Sequence, residues 1–207
     1  MNSLKEFDLS FIENEYKLIA GVDEAGRGPL AGPVVAAAVI FDKETFHTGI
    51  NDSKKLKERS REELFEWITG NCISFGIGII DHLEIDEINI LQASLKAMKA
   101  AVNRLSHEPA LILIDGNKSF KSEFNTKTIV KGDSKSFSIA AASIIAKVTR
   151  DRIMRTESEK YPNYLWAKNK GYATKAHIDA LLKYGAVDLH RKTFLNKIFE
   201  RQQKLDI

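Results

Sequence analysis

Ile19-Ala-Gly-Val-Asp-Glu-Ala-Gly-Arg-Gly28 constrains this chain more than any other stretch. The apolar run Leu18–Val22 ends in two adjacent acids, and a glycine-flanked arginine and Pro29 follow at once. The run reads as a strand entering a core, with Gly26 and Gly28 marking where it stops. Carboxylates at the end of a buried strand cost free energy unless they are paired or hold a cation. A solvated loop is the competing reading, but the acids stand close to the apolar run. Neighbours on a regular strand point to opposite faces. For Asp23 and Glu24 to serve one site, the strand is expected to twist, bulge or end between them, which the glycines permit.

The remaining pattern alternates strands and helices. Val34–Phe41 is a second buried strand, Cys72–Ile80 a third, Leu111–Ile114 a fourth and Lys127–Val130 a short fifth. Ser60 with Glu63 three residues on predicts a capping box for a helix over Arg61–Ile68. Apolar residues at helical spacing predict one helix over Ile85–Leu105 and another from Ser136 to about Tyr161. Thr174 caps a further helix ending near Gly185, and the tail from Thr193 is helical and charged. Residues 1–16 read as a lead-in with a helical turn, and Thr48–Leu56 as a loop. The fold class is therefore α/β: a five-stranded mixed sheet flanked by helices, with a helical C-terminal part. One domain is expected over 1–207, with the core at 17–150 and the helical part at 151–207.

Two more acids sit at element ends. Asp115 closes the fourth strand in Leu111-Ile-Leu-Ile-Asp115-Gly-Asn117, and Asp133 stands just before a helix. The plain alternatives are a turn for Asp115 and a helix cap for Asp133. Four carboxylates without a histidine or cysteine cluster form a hard oxygen set, suited to Mg²⁺ or Mn²⁺ rather than zinc. Two such ions can activate a water and stabilise the leaving oxygen of a phosphodiester.

Charge supports a polyanionic substrate. From Lys131 onward there are 16 Lys/Arg against 8 Asp/Glu, whereas the first 130 residues carry 15 against 20. A basic third beside an acidic cluster suits nucleic acid held over metal ions; lysine-rich solvent faces on amphipathic helices are the bland alternative. The single cysteine, Cys72, excludes an intramolecular disulfide and fits a cytoplasmic protein. The longest apolar stretch, Pro29–Phe41, is too short to span a bilayer and is broken by Gly32 and Pro33. No Gly-x-x-x-x-Gly-Lys-[Ser/Thr] surrounds Gly26, so a nucleotide-phosphate loop is not supported.

Asp23-Glu-Ala-Gly-Arg-Gly-Pro-Leu-Ala-Gly-Pro33, Asp52-Ser-Lys-Lys-Leu56, Ile114-Asp-Gly116, Gly132-Asp133 with Ser138-Ile-Ala-Ala-Ala-Ser-Ile-Ile-Ala-Lys-Val148, and Lys170-Gly-Tyr-Ala-Thr174 together resemble ribonuclease HII. The resemblance covers about residues 18–195 and implies a ribonuclease H-like fold. It implies endonucleolytic cleavage of the RNA strand in RNA–DNA hybrids. It also implies incision 5′ of single ribonucleotides embedded in duplex DNA, as in ribonucleotide removal during replication and repair. The products are a 3′-hydroxyl and a 5′-phosphate. By motif position Asp23, Glu24, Asp115 and Asp133 are the metal ligands, with two Mn²⁺ or Mg²⁺ ions during catalysis. Gly26, Arg27 and Gly28 resemble the family's ribose reader, since glycine lets the backbone approach a sugar closely. Tyr172 matches the tyrosine that packs near the junction sugar. Ser53, Lys54, Lys55 and Lys147 are implied phosphate contacts, with Arg150 and Lys170 as further candidates of the same kind. The tail Gln202-Gln-Lys-Leu-Asp-Ile207 loosely resembles peptides that dock on DNA sliding clamps. A monomer is expected. A phosphatase for small phosphates and a non-catalytic hybrid-binding module are the alternatives. The sugar-reading loop speaks against the first and the full set of acids against the second.

Overall fold

The apolar run of the leading motif forms β1 (Ile19–Ala25), the central strand of five in the computed structural model, which describes residues 3–14, 17–51, 53 and 56–203. The fully buried β2 (Val34–Ile40) pairs antiparallel with β1, and β3 (Ser74–Ile80) pairs antiparallel with β2. On the other side β4 (Leu111–Asp115) runs parallel to β1, and β5 (Asn125–Ile129) parallel to β4. The order is β3-β2-β1-β4-β5, the mixed sheet expected from the sequence.

Helices cover both faces. α1 (Ser3–Asn14), α2 (Glu58–Asn71) and the long α5 (Phe137–Lys160) lie on one face, with α5 across β1 and β2. α3 (His82–Ile88) and α4 (Ile90–Val102) lie on the other, with α4 against β3 and β2. The pleat of β1 sorts its residues between them. Val22 joins Ala36, Ile112 and Ile114 under α4, while Ile19 joins Leu111, Leu113 and Ile139 on the α5 face. α5 reaches the sheet closely because position 21 is glycine: a Cβ there would lie 2.1 Å from the carbonyl carbon of Ser138. α6 (Trp166–Asn169), α7 (Lys175–Tyr184) and α8 (Lys192–Gln203) form the helical C-terminal part. No helix among the described residues is long and apolar enough to cross a membrane.

Several local expectations are corrected. The lead-in is a full helix, α1, because Leu4, Phe7, Phe11 and Ile12 pack on the α5 face. Its Lys5 is buried, donates to the Asp42 carbonyl at 2.6 Å and lies 5.3 Å from the Phe137 ring centre. The predicted Ser60 cap is absent: α2 starts at Glu58, so Ser60 sits inside its first turn. The single helix predicted over Ile85–Leu105 is two. Asn89, at φ +67°, breaks the path, and its side-chain oxygen accepts from the amides of Leu91 and Gln92 to start α4. Asp133 does not cap α5. It lies in a 3-10 turn, Gly132–Ser134, and the cap is Ser136, whose hydroxyl accepts from the Ile139 amide. Asp8 of α1 accepts from the Ser138 amide at 2.8 Å, so a second free amide of that helix end is paired.

Candidate active site

Parallel pairing sets the site. Val22 lies opposite Ile114, and the next residue on each strand is an acid, Asp23 on β1 and Asp115 on β4. The break expected between Asp23 and Glu24 does not occur there. β1 stays in register with β2 through Asp23, Glu24 and Ala25, and the chain turns at Gly26, φ +100°. Asp23 and Glu24 therefore leave the strand toward opposite faces, and the site wraps around its carboxyl end.

One cavity of about 240 Å³ is walled by Asp23, Glu24, the turn Gly26–Gly28, Ser53, Lys147 and Tyr172, with Ser143 of α5. An adjoining pocket of about 60 Å³ holds Asp115 with Glu24 and Arg27, which border both. Asp133 is buried on the neighbouring turn, which is tied to Asp115 by the Gly132 amide. Asp23, Glu24, Gly26, Arg27, Gly28, Ser53, Lys147 and Tyr172 thus line one cavity, Asp115 borders the next and Asp133 lies on the turn beside it; Lys54, Lys55 and the tail positions 204–207 lie outside the described residues. The side chains of Gln202 and Gln203 lie outside them too.

Electrostatics explain why these acids need a partner. Burial first, and then the negative charges of Glu24 and Asp115, hold the Asp23 carboxyl well above the usual carboxylate range. The Ser143 hydroxyl and the Glu24 amide, which donates to Asp23 Oδ1 at 2.7 Å, oppose this only in part. The Glu24 carboxyl is also raised by burial, and Arg27, at 3.3 Å, offsets some of that. Ser53 and Ser143 share a buried hydrogen bond of 2.8 Å beside Asp23. Among the described residues no three His, Cys, Asp or Glu side chains stand close enough to cage an ion on their own. The donor chemistry nonetheless fits a hard divalent cation, since all the acids offer oxygen and their mutual repulsion is what such an ion relieves.

The turn Gly26–Gly28 is held from below. Arg191, fully buried, donates to the carbonyls of Gly26 at 2.7 Å, Arg27 at 3.1 Å, Pro29 at 2.9 Å and Gly32 at 2.9 Å. Arg150, also fully buried, donates to the carbonyls of Ala31, Pro33 and Lys170. It is therefore no phosphate contact, contrary to the sequence reading. Lys170 is not free either: it is buried at φ +52°, with its ammonium on the Ala167 carbonyl. Lys147 does line the cavity, although it pairs with Asp151 at 2.6 Å and burial lowers its pKa. Arg152 and Arg155 are engaged by Glu58, Glu62 and Glu66 of α2, so part of the C-terminal basic excess serves to join α5 to α2.

Tyr172 is 41% exposed at the cavity rim, and its backbone is anchored. Its carbonyl accepts from His177 Nδ1 at 2.9 Å, which leaves His177 Nε2 as an acceptor for Trp166 Nε1 at 3.0 Å. His190 Nδ1 takes the Val187 amide, so its Nε2 proton points at His177 Nε2, 3.2 Å away. The two protons share the one lone pair of His177 Nε2, and protonating either ring would take the acceptor from the Trp166 indole or the Val187 amide, which favours both imidazoles neutral. Sequence reasoning assigned no chemistry to the histidines and missed Arg191. A His-Arg pair in a segment rich in turns is a weak signal without the contacts.

The comparisons with known proteins agree with this geometry. The ribonuclease HII family profile matches residues 20–197. A ribonuclease HII from Caldanaerobacter subterraneus subsp. tengcongensis is 54% identical over 200 residues, which is 97% of this chain and 83% of that protein. The crystal structure of ribonuclease H2 from Pyrococcus horikoshii superposes with TM-score 0.74 at 30% identity, over 90% of this chain and 99% of that one. Ribonuclease HII of Archaeoglobus fulgidus, solved as a complex with PCNA, shares the fold at TM-score 0.69 and 24% identity, over 87% and 96% of the two chains. Parallel strands that deliver acids to one sheet end, a profile match across the core and majority identity along nearly the whole length lead to one assignment: the chain belongs to the ribonuclease HII family of metal-dependent endonucleases, with a ribonuclease H-like fold.

Proposed function

We propose that this protein hydrolyses the RNA strand of RNA–DNA hybrids and nicks duplex DNA on the 5′ side of a single embedded ribonucleotide, leaving a 3′-hydroxyl and a 5′-phosphate. The observation that carries the reading is the cavity in which Asp23 and Glu24 stand beside the Gly26–Gly28 turn and Tyr172. Asp23, Glu24, Asp115 and Asp133 hold two divalent ions, Mn²⁺ or Mg²⁺, which supply an activated water and stabilise the leaving oxygen. The chain's own residues select and position the substrate. The backbone of Gly26–Gly28 meets the 2′-hydroxyl, the group that separates RNA from DNA. Arg27, with its side chain half exposed, takes the adjacent phosphate and so releases Glu24. Tyr172 packs on the sugar at the RNA-to-DNA step. Ser53, Lys54, Lys55 and Lys147 hold phosphates and orient the duplex. The chain works as one domain and as a monomer in the cytoplasm, in ribonucleotide removal. Gln202–Ile207 docks it on a sliding clamp.

The test is direct. A duplex with one ribonucleotide is incubated with and without Mg²⁺ or Mn²⁺, and the break is mapped. A metal-dependent nick immediately 5′ of the ribonucleotide is expected. No cleavage, or equal cleavage of an all-deoxy duplex, refutes the reading.

A further inference from the structure

Arg191 lies 159 to 165 positions beyond one short turn, yet all three of its guanidinium nitrogens bond to it. Four carbonyls accept from it, those of Gly26, Arg27, Pro29 and Gly32. Among the described residues no carboxylate hydrogen-bonds it; Asp86, which acts on it electrostatically, instead accepts from the amides of Lys192 and Thr193 at the start of α8. Burying a cation this way is costly, and charge-assisted bonds in a fork geometry are what offset it.

The peptide bonds of this chain are trans wherever the structure describes them. In a trans peptide the carbonyl of one residue and the amide of the next point in opposite directions. With the Gly26 and Arg27 carbonyls drawn inward, the amides of Arg27 and Gly28 turn outward, to the side where the turn walls the cavity. Consecutive amides converging on a concavity bind an electron-rich oxygen. We propose that Arg191 is the positioning residue of the sugar-reading turn. By fixing four carbonyls it aims the amides of Arg27 and Gly28 at the substrate and so sets the discrimination between ribose and deoxyribose. This rests on the proposed activity and adds to it the residue on which sugar selection depends. Lysine cannot replace it, because an ammonium has three donors and no planar fork.

The experiment compares affinity for a duplex bearing one ribonucleotide with affinity for the same all-deoxy duplex, in EDTA, for the parent, Arg191→Lys and Asp86→Ala. The parent binds the ribonucleotide duplex more tightly. Arg191→Lys is expected to lower that ratio by about fivefold or more, the size of one lost hydrogen bond, while all-deoxy binding stays within about twofold. Asp86→Ala, at a half-buried position outside the cavity, loosens the backbone that carries Arg191 and removes a nearby negative charge, while leaving the fork itself in place. It is expected to lower the ratio by about twofold, and it carries the test if Arg191→Lys does not fold. An unchanged ratio in a folded variant, or equal loss on both duplexes, overturns the inference. A parent that nicks at the ribonucleotide but binds both duplexes equally also overturns it and leaves the activity standing. A parent that does not nick overturns the activity itself.

Discussion

The amide of Gly132 donates to Oδ1 of Asp115 at 2.6 Å, which joins the turn carrying Asp133 to the acid at the end of β4. A methyl group at position 132 would lie 2.6 Å from Ile139 Cδ1 and 3.2 Å from Asp115 Oδ1. Gly132→Ala is therefore expected to destabilise by about 1–2 kcal/mol through overpacking. It should also cut cleavage at least roughly tenfold by shifting Asp115. Denaturant melts and cleavage rates check both; parent-like turnover would remove the turn from the site.

Asp23→Asn should separate stability from activity. The folded state raises this carboxyl's pKa, so ionisation at neutral pH costs stability that is regained as pH falls through the folded value. An amide mimics the protonated form without charge. Melting in EDTA is expected to show a gain of about 1 kcal/mol, while cleavage falls roughly a thousandfold. The Mn²⁺-induced rise in melting temperature should shrink as well. A variant less stable than the parent in EDTA would contradict the electrostatic account.

Tyr172→Ala removes a ring that is 41% exposed, with Lys147 and Arg150 about its face. Stability should change by less than about 1 kcal/mol, as for a largely solvent-facing side chain. Turnover on a single embedded ribonucleotide should fall. Equal rates for variant and parent would take Tyr172 out of substrate recognition.

The buried imidazoles predict acid sensitivity. Burial, with His177 as a like-charged neighbour, lowers the His190 pKa to about 4. The unfolded chain therefore binds more protons between about pH 4 and 6.5, and stability falls as pH drops through that window. From pH 7 to 5 this one residue should account for about 1–2 kcal/mol of lost stability. His190→Asn should lose less than the parent over the same range in denaturant melts. Identical losses in both proteins would show that His190 does not titrate as its burial requires.

Much of this was legible in the chain itself. Apolar runs marked four strands, whose buried residues show in spacing or length; β5 (Asn125–Ile129), exposed except at Ile129, was expected two residues later, at Lys127–Val130. Asp23 and Asp115 stood out as acids directly after such runs. What stayed hidden depends on where side chains end up. Arg150 and Lys170 look like phosphate ligands in a basic segment, yet they terminate on backbone carbonyls in the interior. Asn89 is an ordinary helix residue by pattern, and its positive φ divides α3 from α4. The metal-ligand roles came from motif resemblance, since carboxylates separated by about 110 residues carry no spacing signal of their own.

The Arg191 fork meets acceptors 159 to 165 positions earlier in the chain. Such separation has a meaning during translation. A nascent polypeptide emerges from its amino end, and a contact of this span closes only long after its first partners have been made. All four acids leave the ribosome first, followed much later by the brace for the loop beside them. On the proposed roles, a copy made only as far as Asp133 would carry the cutting groups without the part that chooses where to cut.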